Sequence, residues 1–145
     1  MAGMVAAVAA SAQATWQPAF LTPSENDALV ALGERIIPGS AVAQCNRVID
    51  LILNIESSQT QSGFRQALKP FIDAEFEQKT SSEQDALLTS ASAPNHPLAH
   101  SFVYLKEWLA DAYWTSKAGA KELGYDGQMA WPDFNLCPHP EVPSA

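Results

Sequence analysis

Residues 22–39 of this chain read TPSENDALVALGERIIPG, and they contain both the start and the end of a helix. Thr22 is a capping residue, Pro23 takes the first helical position and Glu25 takes the third, which together make a capping box. Pro38 disfavours helical geometry at the residue before it, so the helix should end at Ile37. Leucine and isoleucine recur between these ends at helical spacing, so one face is expected to pack against a core.

A second helix is predicted from about residue 41 to residue 55 by the same periodicity. Its apolar residues recur at spacings of three and four, and we expect them to form one stripe that faces the core: Val42, Cys45, Val48, Ile49, Ile52 and Leu53. The stretch 57–62 that follows is polar and uncharged, and we expect it to be a flexible connection.

Three further helical stretches follow along the chain. Apolar residues from 64 to 76 keep helical spacing through Pro70, which predicts one kinked helix or two short helices that meet there. Thr80 and the residues after it have the pattern of a helix start, and a short helix is predicted to follow. The longest helix is expected at about 98–116, and its inward stripe consists of Phe102, Leu105, Leu109 and Ala112.

No run alternates with period two over a useful length, so the fold class is predicted to be all-α. We expect a small bundle of about five helices followed by an extended, Pro-rich C-terminal tail. Periodicity is lost beyond Gly119, and four prolines between residues 131 and 145 exclude a helix there. We expect three parts along the chain: a remnant of an export signal at 1–14, a helical domain at 15–131 and the extended tail at 132–145.

Composition limits the classes of function. The 145 residues fit one domain that needs neither a metal nor a disulfide to fold, and 47% hydrophobic with 17% charged residues is typical of globular proteins. The formal net charge is −8, and the eight Lys and Arg residues are scattered from Arg35 to Lys121. Nucleic acid and anionic membrane surfaces both require clustered cations, so neither is an expected partner.

Residues 1–14 carry no charge and end in Ala12-Gln13-Ala14, an A-x-A pattern of the kind that signal peptidases cleave. They are interpreted as the end of an export signal or, because no basic residues precede the apolar stretch, as an ordinary Ala-rich helix. The stretch is too short to span a membrane. Export would place the chain in an oxidising compartment, where Cys45 and Cys137 either pair or remain two separate thiols.

The C-terminal third concentrates aromatic residues and glycines where a lone domain usually has polar surface. Large rings at a helix end bury much area at little entropic cost, so we expect them to contact another protein. The predicted interface residues are Tyr113, Trp114, Leu123, Gly124, Tyr125, Trp131 and Pro132. The alternative is that these rings close the helical core, and Tyr113 is expected to lie off the inward stripe of its helix.

Catalytic, cofactor-binding and metal-binding residues are not predicted. His96 and His100 are four apart, but a proline between them favours polar loop or capping roles over a shared metal. Cys137 and His139 offer too few ligands for a site of their own, no Gly-rich phosphate loop is present, and Asp111 lacks a second group for acid–base work. Asp111 could instead pair with Lys117 or Lys121, or accept a hydrogen bond from a Tyr or Trp. The alternative function is a self-contained helical metal-binding protein or enzyme that uses these His and Cys residues.

Three separated blocks of the chain, between about residues 20 and 132, resemble the gluconate 2-dehydrogenase subunit 3 family, the small subunits of bacterial sugar dehydrogenases. The blocks that carry the resemblance are Leu21-Thr22-Pro23-Ser24-Glu25, Gly33-Glu34-Arg35-Ile36-Ile37-Pro38-Gly39, and Ala112-Tyr113-Trp114-Thr115-Ser116 with Lys121-Glu122-Leu123-Gly124-Tyr125-Asp126-Gly127.

The resemblance implies a non-catalytic partner of a large flavoprotein of the glucose-methanol-choline type. That subunit would carry FAD, oxidise a sugar, sugar acid or glycoside, and pass electrons to a cytochrome c. The resemblance also implies a periplasmic location and a chaperone-like role, in which the small subunit helps the folded large subunit through twin-arginine export. A stand-alone periplasmic chaperone that releases its client is a third possibility.

Overall fold

The computed structural model describes residues 16–125, which form six helices and no strand. They are α1 (Pro23–Ile36), α2 (Cys45–Ile55), α3 (Ser58–Asp73), α4 (Ser81–Ala91), α5 (Ala99–Trp114) and α6 (Lys117–Glu122), with one 3-10 turn at Phe76–Gln78. The all-α prediction is confirmed for this part of the chain. Residues 1–15, the predicted tail at 132–145, and residues 126–131 lie outside the described residues.

The core lies where α1, α2, α3 and α5 meet. Phe64 of α3 packs edge-to-face against Trp108 of α5, with 5.5 Å between ring centroids. A second edge-to-face pair joins Phe71 to Phe76 at 6.0 Å, which attaches the 3-10 turn to α3. Such pairs stabilise a core beyond the burial of their area. The other fully buried large side chains are Leu29, Leu32, Ile49, Leu53, Leu68, Leu105 and Leu109.

The first helix has the predicted start. The Thr22 hydroxyl accepts the Glu25 N–H at 3.2 Å, and the Glu25 carboxylate accepts the Thr22 N–H at 2.8 Å. After α1, the Glu34 carboxylate accepts the N–H groups of Gly39 (2.9 Å) and Ala41 (3.1 Å), and Gly39 has φ +95°. These bonds form a tight turn, and α2 therefore begins at Cys45 rather than near residue 41.

The predicted inward stripe of the second helix is only half right. Cys45, Ile49 and Leu53 are buried, whereas Val42 precedes the helix and is 86% exposed, and Ile52 is 38% exposed. The five predicted residues that lie in the helix cover more of its circumference than the neighbouring helices bury. A second apolar face of α2 is left at the surface.

One further prediction about the chain path is corrected. The stretch 57–62 is not a flexible connection, because Ser57 caps α3 by accepting the Thr60 N–H at 3.2 Å and the helix starts at Ser58. The helix then continues as one element through Pro70 to Asp73, so of the two predicted alternatives a single helix forms and two short helices do not. The start of α4 is confirmed, with a capping box between Thr80 and Glu83.

The longest helices are α3 and α5, with 16 residues each. The α5 helix lies within its predicted bounds, from Ala99 to Trp114. The short helix α6 follows after two residues, although no helix is predicted beyond Gly119. No helix within residues 16–125 combines the length and the apolar character that crossing a membrane would require.

Candidate partner interface

The C-terminal end of α5 and the helix α6 form one corner of the bundle. Ser116 connects them, because its hydroxyl accepts the Gly119 N–H at 3.1 Å and donates to the Tyr113 carbonyl oxygen at 2.6 Å. Gly119 lies against the α5 backbone. A Cβ atom at this position would collide with the Tyr113 carbonyl oxygen and lie 2.9 Å from the Trp114 Cα. The corner therefore depends on backbone contact that only glycine permits.

Tyr113 is the main correction to the predicted interface. Its side chain is only 3% exposed, so the expectation that it lies off the inward stripe is wrong. The physical reason is spacing, since Tyr113 follows Leu109 by four residues and so shares its face of the helix. The Tyr113 hydroxyl donates to the Glu122 carboxylate at 2.8 Å, a bond that raises the pKa of the tyrosine. Tyr113 thus holds α6 against the bundle from inside.

Gly124 has a local structural role at the end of α6. Its φ is +75°, its N–H donates to the Lys121 carbonyl oxygen at 3.0 Å, and the Tyr125 N–H donates to the Ala120 carbonyl oxygen at 2.9 Å. This is a Schellman motif, in which a left-handed residue terminates the helix, and glycine adopts that conformation without strain. The motif fixes the direction in which the chain leaves the corner.

Four of the predicted interface residues are exposed at this corner, namely Gly124 and three residues with large side chains. Trp114 is 43% exposed, Leu123 is 68% exposed and Tyr125 is 58% exposed. We call Trp114, Leu123 and Tyr125 the corner cluster. Their side chains offer apolar area for binding, and the Trp114 ring is supported from behind by the buried Tyr113 ring, with centroids 5.2 Å apart. The remaining predicted residues, Trp131 and Pro132, lie outside the described residues.

The candidate metal ligands have other roles where the structure describes them. The His96 Nδ1 atom accepts the Leu98 N–H at 3.1 Å, which is a local bond in the loop before α5. The N-cap of α5 is Leu98, which has no side-chain cap bond, so the predicted loop role of His96 holds and the capping role does not. The His100 ring stacks near Tyr104, with centroids 6.4 Å apart. Between residues 16 and 125, no three or more His, Cys, Asp or Glu side chains come together in a way that could hold a metal ion. Cys137 and His139 are outside that range.

Cys45 and Asp111 also have assigned places. Cys45 is 1% exposed, and this burial raises the pKa of its thiol. Cys137, with which Cys45 either forms a disulfide or does not in the two predicted alternatives, lies outside the described residues. Asp111 is exposed on α5, and none of the ion pairs within residues 16–125 joins it to Lys117 or Lys121.

Asp50 is a buried residue that the sequence reasoning missed. It is 1% exposed, and its carboxylate accepts the backbone N–H groups of Ala19 (2.7 Å), Phe20 (3.0 Å) and Leu21 (2.8 Å). Arg65 also contacts this segment, since it donates to the Phe20 carbonyl oxygen at 2.9 Å and stacks 4.1 Å from the centre of the Phe20 ring. The sequence signal for this buried residue is a single carboxylate among the apolar residues of α2.

Comparison of this chain with protein-family models, with curated proteins and with solved structures finds no match in any of the three.

Proposed function

We propose that this chain is the non-catalytic small subunit of a periplasmic, FAD-dependent dehydrogenase of the glucose-methanol-choline type that oxidises a sugar or a glycoside. In this proposal the large subunit binds FAD and performs the reaction, and a cytochrome c accepts the electrons. The small subunit stabilises the large one and assists its export. The observation that carries the proposal is the exposure of the corner cluster, Trp114, Leu123 and Tyr125, on a rigidly built backbone.

The spatial arrangement of the resembling blocks supports this proposal. A Cβ atom at Gly33 would lie 3.0 Å from the Leu109 side chain, and one at Gly39 would lie 3.7 Å from the Tyr113 hydroxyl. The block at residues 33–39 therefore packs against the end of α5, where the third block begins. Two stretches that are far apart in sequence together build the base of the corner cluster.

The energetics favour a protein partner for this corner. Aromatic anchors at the centre of an interface are worth about 2 kcal/mol or more each, which corresponds to roughly thirtyfold in Kd. Their affinity increases when the binding surface is already ordered, because less conformational entropy is lost on association. Gly119, the Tyr113–Glu122 bond and the Schellman motif at Gly124 supply that order.

The proposal is tested by co-expressing the chain with a glucose-methanol-choline-type flavoprotein from the same organism. We expect the two to purify together with a flavin absorbance spectrum, and Trp114→Ala to raise Kd by about thirtyfold. Val103→Ala is the matched control, since Val103 is 44% exposed on the same helix and lies about 16 Å before Trp114. Failure of the pair to associate would exclude the proposal, and equal effects of the two substitutions would exclude the corner cluster as the interface.

A further inference from the structure

The helix α2 has a second apolar face that the bundle leaves at the surface. Ile55 is 84% exposed, Leu51 is 61% exposed and Ile52 is 38% exposed, and Val48 is partly buried beside them. These four residues follow the spacing i, i+3, i+4, i+7, which is the pattern of anchors in a helix that meets another helix. We call Val48, Leu51, Ile52 and Ile55 the outer stripe.

The outer stripe borders a groove between α2 and α5. Val48 and Ile52 form one wall of this groove, and Tyr104, Trp108 and Ala112 form the other. Its volume is about 390 Å³. The Trp108 ring is held in place by its edge-to-face contact with the core residue Phe64, at 5.5 Å. The groove is therefore a preformed apolar surface with one fixed aromatic wall.

The charged residues of the groove are all acidic in the described chain. Glu107 and Asp111 are exposed, lie four residues apart on α5 and both line the groove, and no Lys or Arg is among its lining residues. The nearest cations in sequence have other contacts. Arg47 stacks 4.9 Å from the centre of the Trp16 ring, and Lys106 lies 5.7 Å from the centre of the Phe102 ring.

We propose that the groove between α2 and α5 is a docking site for a cationic amphipathic helix of a partner protein. Apolar residues of that helix fill the groove and cover the outer stripe, while its Lys or Arg residues reach Glu107 and Asp111. The inference goes beyond the proposed function, because it does not depend on the corner cluster or on a flavoprotein.

Charge distinguishes this occupant from the alternatives. A second copy of the chain carries the same two carboxylates and a net charge of −8, so pairing across this face would oppose like charges. An anionic membrane surface meets the same repulsion. A helix with an apolar face and basic flanks satisfies both the groove and its acidic edge.

The test uses the full chain and a designed Leu/Lys amphipathic peptide of about 18 residues, or about five helical turns. A second peptide has Glu in place of every Lys. Affinities are measured by fluorescence anisotropy of the labelled peptides. We expect the Lys peptide to bind and the Glu peptide to bind at least about tenfold more weakly. Ile52→Ser with Ile55→Ser should weaken binding of the Lys peptide by at least about tenfold, because both apolar anchors are lost.

Charge reversal provides the sharper readout. The double variant Glu107→Lys, Asp111→Lys should bind the Lys peptide about tenfold more weakly and the Glu peptide more tightly than the unmodified chain does, so that the preference reverses. The control is Glu75→Lys with Glu77→Lys, which makes the same change in net charge at exposed sites after α3 and should leave the preference unchanged.

Five results would overturn the proposal. Three come from the peptides: equal binding of both, an unchanged preference after charge reversal at the groove, and an equal change in preference after charge reversal at the control sites. The fourth is a dimer in sedimentation that the Ile52→Ser and Ile55→Ser variant dissociates. The fifth is binding of the unmodified chain, without any peptide, to vesicles of anionic lipid that the same variant no longer binds. Circular dichroism of each variant confirms that the bundle is folded, as expected for exposed positions.

Discussion

Removal of the Asp50 carboxylate should release the segment that precedes α1. The carboxylate is 1% exposed and accepts three backbone N–H groups, from Ala19, Phe20 and Leu21. A hydrogen bond to a charged acceptor contributes about 1.5–3 kcal/mol. The bond from Leu21 is buried, whereas the other two are part-buried, so two of the three amides regain water when the segment moves. We therefore expect Asp50→Ala to lower the free energy of unfolding by about 3–5 kcal/mol.

Urea unfolding, followed by far-UV circular dichroism, measures this loss, and limited chymotrypsin digestion reports whether cleavage after Phe20 becomes faster. Asp73→Ala is the matched control, since its carboxylate is 59% exposed and forms only an i,i+4 ion pair with Lys69. That substitution should cost about 0.5 kcal/mol or less. If Asp50→Ala costs no more than Asp73→Ala and leaves the cleavage rate unchanged, then Asp50 does not hold the segment.

Two further predictions concern the corner. Gly119→Ala should lower the free energy of unfolding by about 1–3 kcal/mol, because the new methyl group collides with the α5 backbone. The control Gly63→Ala should raise it by about 0.5–1 kcal/mol, because this helical site has room for a methyl group. Denaturant titration compares the two variants, and equal effects would contradict the close packing of the corner. The bond from Tyr113 to Glu122 raises the pKa of the tyrosine above its ordinary value of 10.0. The bond therefore contributes fully to stability below pH 10.0, and this contribution is lost as the pH rises through the raised pKa. Stability of Tyr113→Phe should decline less over that alkaline range in thermal unfolding, and identical pH profiles would show that the bond is absent.

The elements that could be predicted from the sequence are those with local causes. The starts of α1 and α4 each depend on a capping box within four residues, and both form as predicted. The start of α3 was missed because a polar, uncharged stretch is compatible with a flexible connection as well as with a first helical turn. Ser57 decides between the two by capping the helix, and this depends on its backbone conformation.

One failed prediction overlooked a local signal, and the others depend on tertiary contacts. The helical spacing of four from Leu109 to Tyr113 indicates an inward ring, but aromatic clustering in the sequence suggested an exposed one. Asp50 was missed because its partners lie 29 to 31 residues away along the chain. The exposed face of α2 was missed because an apolar stripe in sequence does not show whether one or two surfaces will cover it.

Hydroxyl-radical footprinting of the proposed small subunit, free and in complex with the flavoprotein, tests whether the corner cluster is the interface. We expect oxidation of Trp114, Leu123 and Tyr125 to fall on complex formation, while oxidation of Val103 stays the same. Undiminished oxidation of the corner cluster in a purified, flavin-containing complex would show that the partner binds elsewhere.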